Sequence, residues 1–405
     1  MYRLETVVEQ LPDILLASSA DAKSEDEQLL VLRTFEFNLS QGNFELAYNA
    51  IKNLSLSRMR GGLVVSAAEI LRGTYACLVG IHNLALIKSL DNLRDDIVRY
   101  RQQAHVDGST VTPLCIRLIH LQYNTAGSTF SLQEIADDEF LMDCLRSDFF
   151  NNPEIEIFLT DIRRQLLLSS ATKLEIDSRY LSLYQALALQ GYLTDYVFYC
   201  HEDESELVEL LDQAVANHLA QKGNLLDDDD VLPLLLLYTM YEPLTNMNPQ
   251  ARAALAELNI DQLPQYLQAI YLHTYSQRLE REAIAAQIKT LGKIKLSSRH
   301  VQQQYEENPY PRKSRLDHLR VAVSYLEGCQ HLSASEFHFD VLQGRPLEML
   351  VAGCGTGFQA LEIARSCKHV NIIAVDISRK SLACGEQLKA AYGIDNVQFF
   401  FRQIF

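Results

Sequence analysis

The residues best suited to chemistry form a glycine-rich turn near the C-terminus. The turn follows the apolar run Leu347–Ala352 and consists of Gly353, Cys354, Gly355, Thr356 and Gly357. Glycines lack the Cβ atom that would keep a ligand away from the backbone. About 20 residues later, Asp376 ends a second apolar run, where its carboxylate can accept hydrogen bonds from both hydroxyls of a ribose. The spacing therefore predicts a nucleoside-binding site.

The spacing of the glycines also indicates which nucleoside cofactor would bind. A dinucleotide fingerprint places them as GxGxxG or GxGxxA, so that a pyrophosphate meets the start of the next helix. Here position 358 is Phe. The GxGxG form suits S-adenosylmethionine, whose amino-acid end carries a carboxylate that can face the N–H groups of that helix. Ile377 follows Asp376 and can cover one face of the adenine.

The elements that position these residues alternate between strands and helices. Buried parallel strands are predicted for three apolar runs, at residues 347–352, 370–375 and 397–401. Helical spacing fills the intervals at residues 358–365 and 379–392, with Ser378 as the N-cap and Gly393 at the C-terminal cap of the second helix. This order predicts the first part of a Rossmann-like α/β domain.

Residues 1–300 are predicted to be helical, because apolar residues recur at three- and four-residue spacing. Residues 39–51 resemble one tetratricopeptide-repeat hairpin, with Gly42 at the turn and the small Ala47 and Ala50 where a second helix approaches. A repeat array requires at least three such units, and we find no second convincing copy. We therefore expect irregular helical domains over residues 1–125 and 126–300.

Composition excludes several classes of function. The chain has 36 basic and 52 acidic residues and a formal net charge of −16, which repels nucleic acids and anionic lipids. The longest apolar run, residues 231–241, contains Pro233 and is about half as long as a membrane-spanning helix. Eight cysteines without a CxxC pair, and no secretory signal, fit a reducing cytoplasm. We expect no nucleic-acid and no membrane partner.

The other polar clusters do not predict a metal or hydrolytic site. The acidic run 227–230 is expected to form a solvated loop that caps the next helix. Cys200 and His201 are adjacent but have no further partner at ligand spacing. Neither an HExxH nor a GxSxG motif occurs.

The motifs near the C-terminus resemble those of class I methyltransferases. The resemblance rests on VAGCGTG at 351–357, IIAVDIS at 372–378 and ISRKSLA at 377–383. A longer stretch, about residues 130–405, is similar to bacterial tetratricopeptide-repeat-associated methyltransferases. It is carried by YEENPYPR at 305–312 and by QALALQGYLTDYVFYCHEDE at 185–204.

The two prolines within residues 305–312 favour an extended segment and predict a linker at residues 301–315. The resemblance implies an incomplete methyltransferase domain at residues 316–405. It implies S-adenosylmethionine as the cofactor, held by Ala352, Gly353, Cys354, Gly355, Thr356, Gly357, Asp376, Ile377 and Gln403. Gln403 stands where the family commonly has an acid that bonds the adenine amino group, and its carbonyl can accept the same bond more weakly. Lys313 replaces a common Trp, which removes an aromatic contact.

The resemblance further implies that only the first three of seven strands are present. We therefore expect the 405 residues to be the N-terminal part of a longer protein, or a fragment, and to be inactive alone. Because the residues that position the acceptor come later in such domains, no catalytic residue is predicted. The full-length protein would methylate an unknown small molecule or protein, and its helical half would recruit that substrate or a protein partner.

Two alternatives are open at this point. One is a non-catalytic helical interaction scaffold with a vestigial nucleotide-binding fold, which Gln403 and the early end of the chain favour. The other is a nicotinamide-dependent oxidoreductase, against which Phe358 argues because it occupies the third glycine position of the dinucleotide fingerprint.

Overall fold

The structure is a computed structural model that describes residues 25–57, 77–78, 93–101, 111–123, 131–147, 149–171, 176–222, 225, 231–292, 299–307, 309, 316, 323–324 and 346–402. Within these ranges the chain is mostly helical, and a parallel sheet of three strands lies near the C-terminus. The chain divides into two compact units, residues 1–102 with 108–124 and residues 103–107 with 125–405.

The described part of the first unit contains helices α1 (Glu25–Ser40), α2 (Phe44–Ser57), α3 (Leu93–Arg101) and α4 (Thr112–Tyr123). Helices α1 and α2 pack as a hairpin. Gly42 turns between them at a φ of 73°, a left-handed conformation that glycine adopts without strain. Ala47 and Ala50 are buried, as the hairpin predicted from the sequence requires. Its relation to tetratricopeptide repeats stays a prediction.

Ten further α-helices are described in the second unit before the sheet: α5 (Leu132–Ala136), α6 (Glu139–Ser147), α7 (Pro153–Ala171), α8 (Leu181–Leu193), α9 (Glu202–Lys222), α10 (Leu232–Thr239), α11 (Pro249–Ala256), α12 (Gln265–Tyr271), α13 (Gln277–Gln287) and α14 (Arg299–Glu307). Short 3-10 turns occur at Ser178–Tyr180, Leu244–Asn246 and Ile260–Gln262. A π-helical turn, Leu272–Ser276, joins α12 to α13.

Two Asn-Pro pairs in this unit start helices. The Asn152 side chain accepts a hydrogen bond from Ile155 N at 3.0 Å. Asn248 likewise accepts one from Ala251 N at 2.9 Å. The following proline occupies the first helical position, where a missing N–H costs nothing. Both asparagines are therefore N-caps.

The sheet consists of β2 (Leu347–Ala352), β4 (Val370–Asp376) and β5 (Val397–Phe401), and a separate parallel pair is formed by β1 (Val323–Ser324) and β3 (Cys367–Lys368). Strand β4 lies in the centre and pairs in parallel with both neighbours. Helix α15 (Phe358–Ser366) connects β2 to the β3–β4 stretch, and α16 (Arg379–Ala391) connects β4 to β5. All three carboxyl ends therefore lie along one edge.

Both connecting helices contribute to one hydrophobic core with the sheet. Leu361 of α15 and Leu382 of α16 are buried in the same cluster as Phe399 of β5. On the alternate positions of the strands, Leu350 is 64% exposed and Ile373 is 37% exposed. Because successive strand residues point to opposite faces, the sheet is covered on one face and apolar side chains are exposed on the other.

The end of helix α13 belongs to the same core. Ala285 and Ile288 are members of the sheet's hydrophobic cluster. Next to them, Phe401 N donates to Lys289 O at 2.9 Å, and Leu291 N donates to Phe401 O at 3.1 Å. A short backbone segment from the helical part thus pairs with the end of β5.

The coarse fold predicted from the sequence, a helical majority followed by a small parallel sheet, is confirmed. One local prediction was wrong: Tyr305, Glu306 and Glu307 were expected to be extended, but they form the last turn of α14. Pro309 restricts the residue directly before it, so residues up to 307 remain free to be helical. Residues 227–230, 308, 310–312, Lys313 and Gln403 lie outside the described residues.

Candidate functional site

The glycine-rich turn forms a tight bend between β2 and α15. Gly353, Gly355 and Gly357 all have positive φ, at 71°, 54° and 76°. Side chains with a Cβ atom are strained in this conformation, so the sequence needs glycine here. The bend is tied to the central strand, because Gly353 N and Cys354 N both donate to Val375 O, at 2.9 and 3.1 Å.

The carboxylate of Asp376 faces this bend. Its Oδ2 accepts a hydrogen bond from Gly355 N at 2.8 Å, and its Oδ1 accepts one from Ser378 N at 3.0 Å. The residue is 8% exposed. The structure therefore brings together the two features that the sequence analysis predicted to form a site, the bend and the acid at the end of the second strand.

The side chains within the bend face the protein interior. Cys354 is 8% exposed and belongs to the hydrophobic cluster, and Thr356 is 2% exposed. Burial, together with the charge of Asp376, raises the pKa of the Cys354 thiol, which makes the thiol a poor nucleophile. A ligand over the bend would contact these two residues through their backbone.

Gly353 and Gly357 serve different purposes. A Cβ atom on Gly353 would have no heavy atom within 4 Å, so this position borders open space. A Cβ on Gly357 would lie 2.5 Å from the Phe399 ring and 3.3 Å from Gly385 Cα. Gly357 is therefore required for close packing of α15 against the sheet and α16, rather than for access of a ligand.

The remaining predicted residues lie along the same edge. Ala352 is exposed at the end of β2, and Ile377 is half-buried directly after Asp376. Arg402 N, at the end of β5, donates to Asp376 O at 2.8 Å. Eight of the nine predicted cofactor residues, all except Gln403, are thus described by the structure and lie at the carboxyl ends of β2 and β4.

The start of α15 has no side-chain cap. Its N-cap residue is Gly357, which offers no hydrogen-bonding side chain. The first N–H groups of a helix have no partner within the helix, and they carry the positive end of its dipole. The positive end of the α15 dipole therefore lies next to the bend.

The start of α16 is closed by protein groups, which the sequence analysis did not predict. Arg379 N donates to Glu306 Oε1 at 2.8 Å, and Lys380 N donates to Glu306 Oε2 at 3.0 Å. Ser381 N donates to the Ser378 hydroxyl at 3.0 Å, and that hydroxyl donates to Tyr305 O at 2.8 Å. Tyr305 and Glu306, the first two residues of the YEENPYPR segment, thus cap the helix that follows Asp376.

The side chain of Arg379 joins the helical part to the end of β5. Its guanidinium hydrogen-bonds Ile288 O, donates to Thr290 Oγ1 at 2.8 Å and lies 4.3 Å from the centre of the Phe401 ring. For the capping of α16, the only signal in the sequence was the motif at residues 305–312, whose role the sequence did not specify.

A cavity of about 580 Å³ lies between α13, α16 and β5. It is lined by Ile284, Gln287, Ile288, Lys289, Glu386, Lys389, Ala390, Gln398, Phe399 and Phe400. Its volume would suit a nucleoside-sized ligand, yet no predicted cofactor residue lines it. We base the candidate site on the bend, because the hydrogen-bonding chemistry is there.

A second buried polar cluster holds the loop after α8. Tyr241 OH donates to Glu204 Oε1 at 2.7 Å, and the Arg163 guanidinium lies 4.1 Å from the centre of the Tyr241 ring. Burial raises the pKa of the Tyr241 hydroxyl, so it stays a donor. His201 takes part through its backbone N, which donates to Glu204 Oε2 at 2.9 Å.

Among the described residues, no group of three or more potential ligands could hold a metal ion.

None of the described helices is long and apolar enough to cross a membrane. A comparison of the chain with protein-family models, with curated proteins and with solved structures finds no significant match. The functional interpretation therefore rests on the geometry of the site.

Proposed function

We propose that the bend and Asp376 bind S-adenosylmethionine in a Rossmann-like arrangement, and that the protein transfers its methyl group to an acceptor. The observation that supports this most is the 2.8 Å hydrogen bond from Gly355 N to Asp376 Oδ2. It orients the carboxylate along the edge where ligands bind in open parallel sheets, beyond the carboxyl ends of the strands.

The Asp376 carboxylate retains capacity for a ribose. A carboxylate has about four lone-pair sites, and the backbone N–H groups of Gly355 and Ser378 use one on each oxygen. The remaining sites can accept from two vicinal hydroxyls. Because the backbone bonds already fix the orientation of Asp376, little ordering would be required on binding.

The open space at Gly353 fits the same ligand. A Cβ at this exposed position would meet no protein atom within 4 Å, so the space beside the backbone is free for a nucleoside. The uncapped start of α15 at Gly357 would donate to the carboxylate of the amino-acid end. Half-buried Ile377 would lie against the adenine.

When bound, the cofactor supplies a sulfonium-linked methyl group to a nucleophile of the acceptor. The residues described here bind and orient: Asp376 holds the ribose, and the first turn of α15 holds the amino-acid end. Such positioning contributes much of the rate in a transfer that requires an in-line arrangement of nucleophile, methyl carbon and sulfur.

The proposal is tested by equilibrium binding of S-adenosylmethionine, S-adenosylhomocysteine and NAD⁺ to the 405-residue protein. Gly353→Ala and Gly393→Ala form a matched pair, because both glycines have positive φ, 71° and 61°, and a Cβ at either would meet nothing within 4 Å. Each should lose about 1 kcal/mol of stability.

Only Gly353→Ala should weaken binding of S-adenosylhomocysteine, by about tenfold or more, which is ~1.4 kcal/mol. Asp376→Asn should weaken it as well, since an amide presents one acceptor oxygen where the carboxylate presents two. Equal affinities of the two glycine variants, or a preference for NAD⁺, would remove the support for this function.

A second candidate function, a protein-interaction scaffold, is favoured by the loop after α8. Val197 is 66% exposed and Tyr199 is 64% exposed. They follow Asp195 and Tyr196, which both hold a φ of 58° although neither is glycine. This alternative would be favoured by protein partners that still bind when Gly355 is replaced by a bulky residue but no longer bind the Tyr199→Ala variant.

A further inference from the structure

The cavity of about 580 Å³ beside β5 runs along the backbone edge of that strand. Three consecutive residues of β5 line it, Gln398, Phe399 and Phe400. Successive side chains of a strand point to opposite faces, so one cavity borders both kinds where it passes the edge between the faces. Its volume lies within the range of about 300–1,000 Å³ that is typical of ligand sites.

The backbone groups of Phe399 point toward this edge. On the β4 side of β5, Arg402 N donates to Asp376 O at 2.8 Å. On the opposite side, Phe401 N and O bond to residues 289–291 at 2.9 and 3.1 Å. The backbone groups of successive strand residues alternate between the two edges, so the N–H and C=O of Phe399 point the same way as those of Phe401.

The chain covers this edge only at its end. Residues 289–291 run parallel to β5 and pair with it at Phe401. Helix α13 ends at Gln287, just before that pairing begins. Within the described ranges, no residue bonds to the N–H or C=O of Phe399 on this side. The edge beside the cavity therefore offers a backbone donor and acceptor to which another strand can pair.

The other lining residues add apolar surface and one cation. Ile284 and Phe400 are half-buried apolar side chains. The charged side chains are two lysines and one glutamate, and Lys389 Nζ bonds to Glu386 Oε2 at 3.0 Å. Lys289 is exposed and forms no ion pair with any described residue. The lining therefore suits a carboxylate that is carried next to apolar groups.

An extended peptide combines these properties. Its main chain supplies a donor and an acceptor to a strand edge, and its side chains fill the adjacent space. Residues 289–291 already bind this edge in the same manner, and Phe399 lies outside that pairing. We propose that the cavity binds an extended segment of a partner protein, which adds to the edge of β5 and places an acidic side chain beside Lys289.

The experiment selects binders to the 405-residue protein from a library of acetylated and amidated pentapeptides, with mass spectrometry as the readout. Ala390→Phe places a large side chain in the cavity, because Ala390 is an exposed part of its lining. Ala391→Phe is the matched control, since Ala391 is also exposed and lies outside the lining. Urea unfolding verifies that both variants fold. Selected peptides should bind Ala390→Phe about tenfold or more weakly and should bind Ala391→Phe like the original protein.

The selected peptides should be enriched in Asp or Glu. Lys289→Gln should remove this preference, whereas Lys368→Gln, at an exposed position on β3 outside the lining, should retain it. N-methylation of each peptide amide in turn should weaken binding at alternate positions, because only alternate N–H groups of a strand face its neighbour. Amide exchange at Phe399 should slow when a selected peptide is added.

The proposal is overturned if no peptide prefers the original protein over Ala390→Phe, or if N-methylation has no alternating effect. Unchanged exchange at Phe399 would contradict it as well. Self-association of the protein through this edge without peptide binding would assign the edge to a second copy of the chain instead. These outcomes are separable from the proposed cofactor site, because no predicted cofactor residue lines the cavity and no cofactor is present in the assay.

Discussion

Helices α15 and α16 begin at the same edge of the same sheet, but their first turns are satisfied differently. At α15 the N-cap is Gly357, which has no capping side chain. At α16 the first three N–H groups bond to Glu306 and Ser378. The chain closes one helix start with its own carboxylate, and at the other it places a glycine that has no capping side chain.

This difference suggests that the start of α16 contributes to stability and that the start of α15 contributes to ligand binding. A carboxylate from α14 at the start of α16 stabilises the structure around Asp376, and it occupies the donors that a ligand would otherwise use. At the start of α15, the N-cap glycine contributes no such side chain. The two ends can therefore be tested separately, one for stability and one for binding.

The largest loss of stability is expected from Gly357→Ala, at the start of α15. The new Cβ would lie 2.5 Å from the Phe399 ring in a backbone conformation with a φ of 76°. We expect a loss of about 3 kcal/mol or more, from left-handed strain and overpacking together. Urea unfolding measures it, and Gly353→Ala is the control that should lose about 1 kcal/mol. Equal losses would show that Gly357 is not needed for packing.

Glu306→Ala should open the start of α16 and make it resemble that of α15. Two charge-assisted hydrogen bonds, donated by backbone N–H groups to a half-buried carboxylate, would be lost at a cost of about 2 kcal/mol. Glu307→Ala is the matched control, because its side chain is exposed and bonds within its own helix, and it should change stability by less than about 0.5 kcal/mol. A similar loss in both variants would contradict the capping role.

Hydrogen exchange distinguishes the two helix starts without mutation. The amides of residues 379–381 should exchange about tenfold more slowly than those of residues 358–360, which corresponds to ~1.4 kcal/mol of local opening. S-adenosylhomocysteine should slow residues 358–360 and leave residues 379–381 unchanged. Protection of the α16 start alone on ligand addition would reverse the roles assigned to the two helices.

The smallest effect is expected from Ser378→Ala. This fully buried serine caps Ser381 N and donates to Tyr305 O, and loss of an N-cap hydroxyl costs about 1 kcal/mol. Ser366→Ala is a suitable control, since Ser366 bonds back to Glu362 O near the end of α15. Thermal unfolding would measure both variants, and a larger loss in the control would show that the hydroxyl at 378 is not a cap.

Local signals predicted much of the C-terminal fold. Ser378 is the N-cap of α16, and Gly393 turns the chain after it at a φ of 61°, as expected from residues whose preferences act over a few positions. The apolar runs became parallel strands with bounds that differ by at most one residue from those predicted. The site at the bend and Asp376 could likewise be predicted, because the spacing of the glycines and of the acid is also a local signal.

Contacts between distant residues could not be predicted in this way. Glu306 reaches the start of α16 across more than 70 residues of chain, and nothing near Glu306 in the sequence specifies that partner. The close approach of Phe399 to Gly357 and Gly385 depends on how two helices meet one strand. Hydrophobic periodicity predicts a helix and its buried face, but not which neighbour that face contacts.

The pairing of residues 289–291 with Phe401 makes the two sides of the sheet unequal. On the β5 side, the last residue already exchanges backbone hydrogen bonds with Lys289 and Leu291. On the β2 side, no partner strand occurs among the described residues, and Leu350 is 64% exposed. A strand that joins along the full length of β5 would first have to displace this segment. Among the described residues the two edges of the sheet therefore differ, because residues 289–291 occupy the end of the β5 edge and no described strand pairs with Leu347–Ala352.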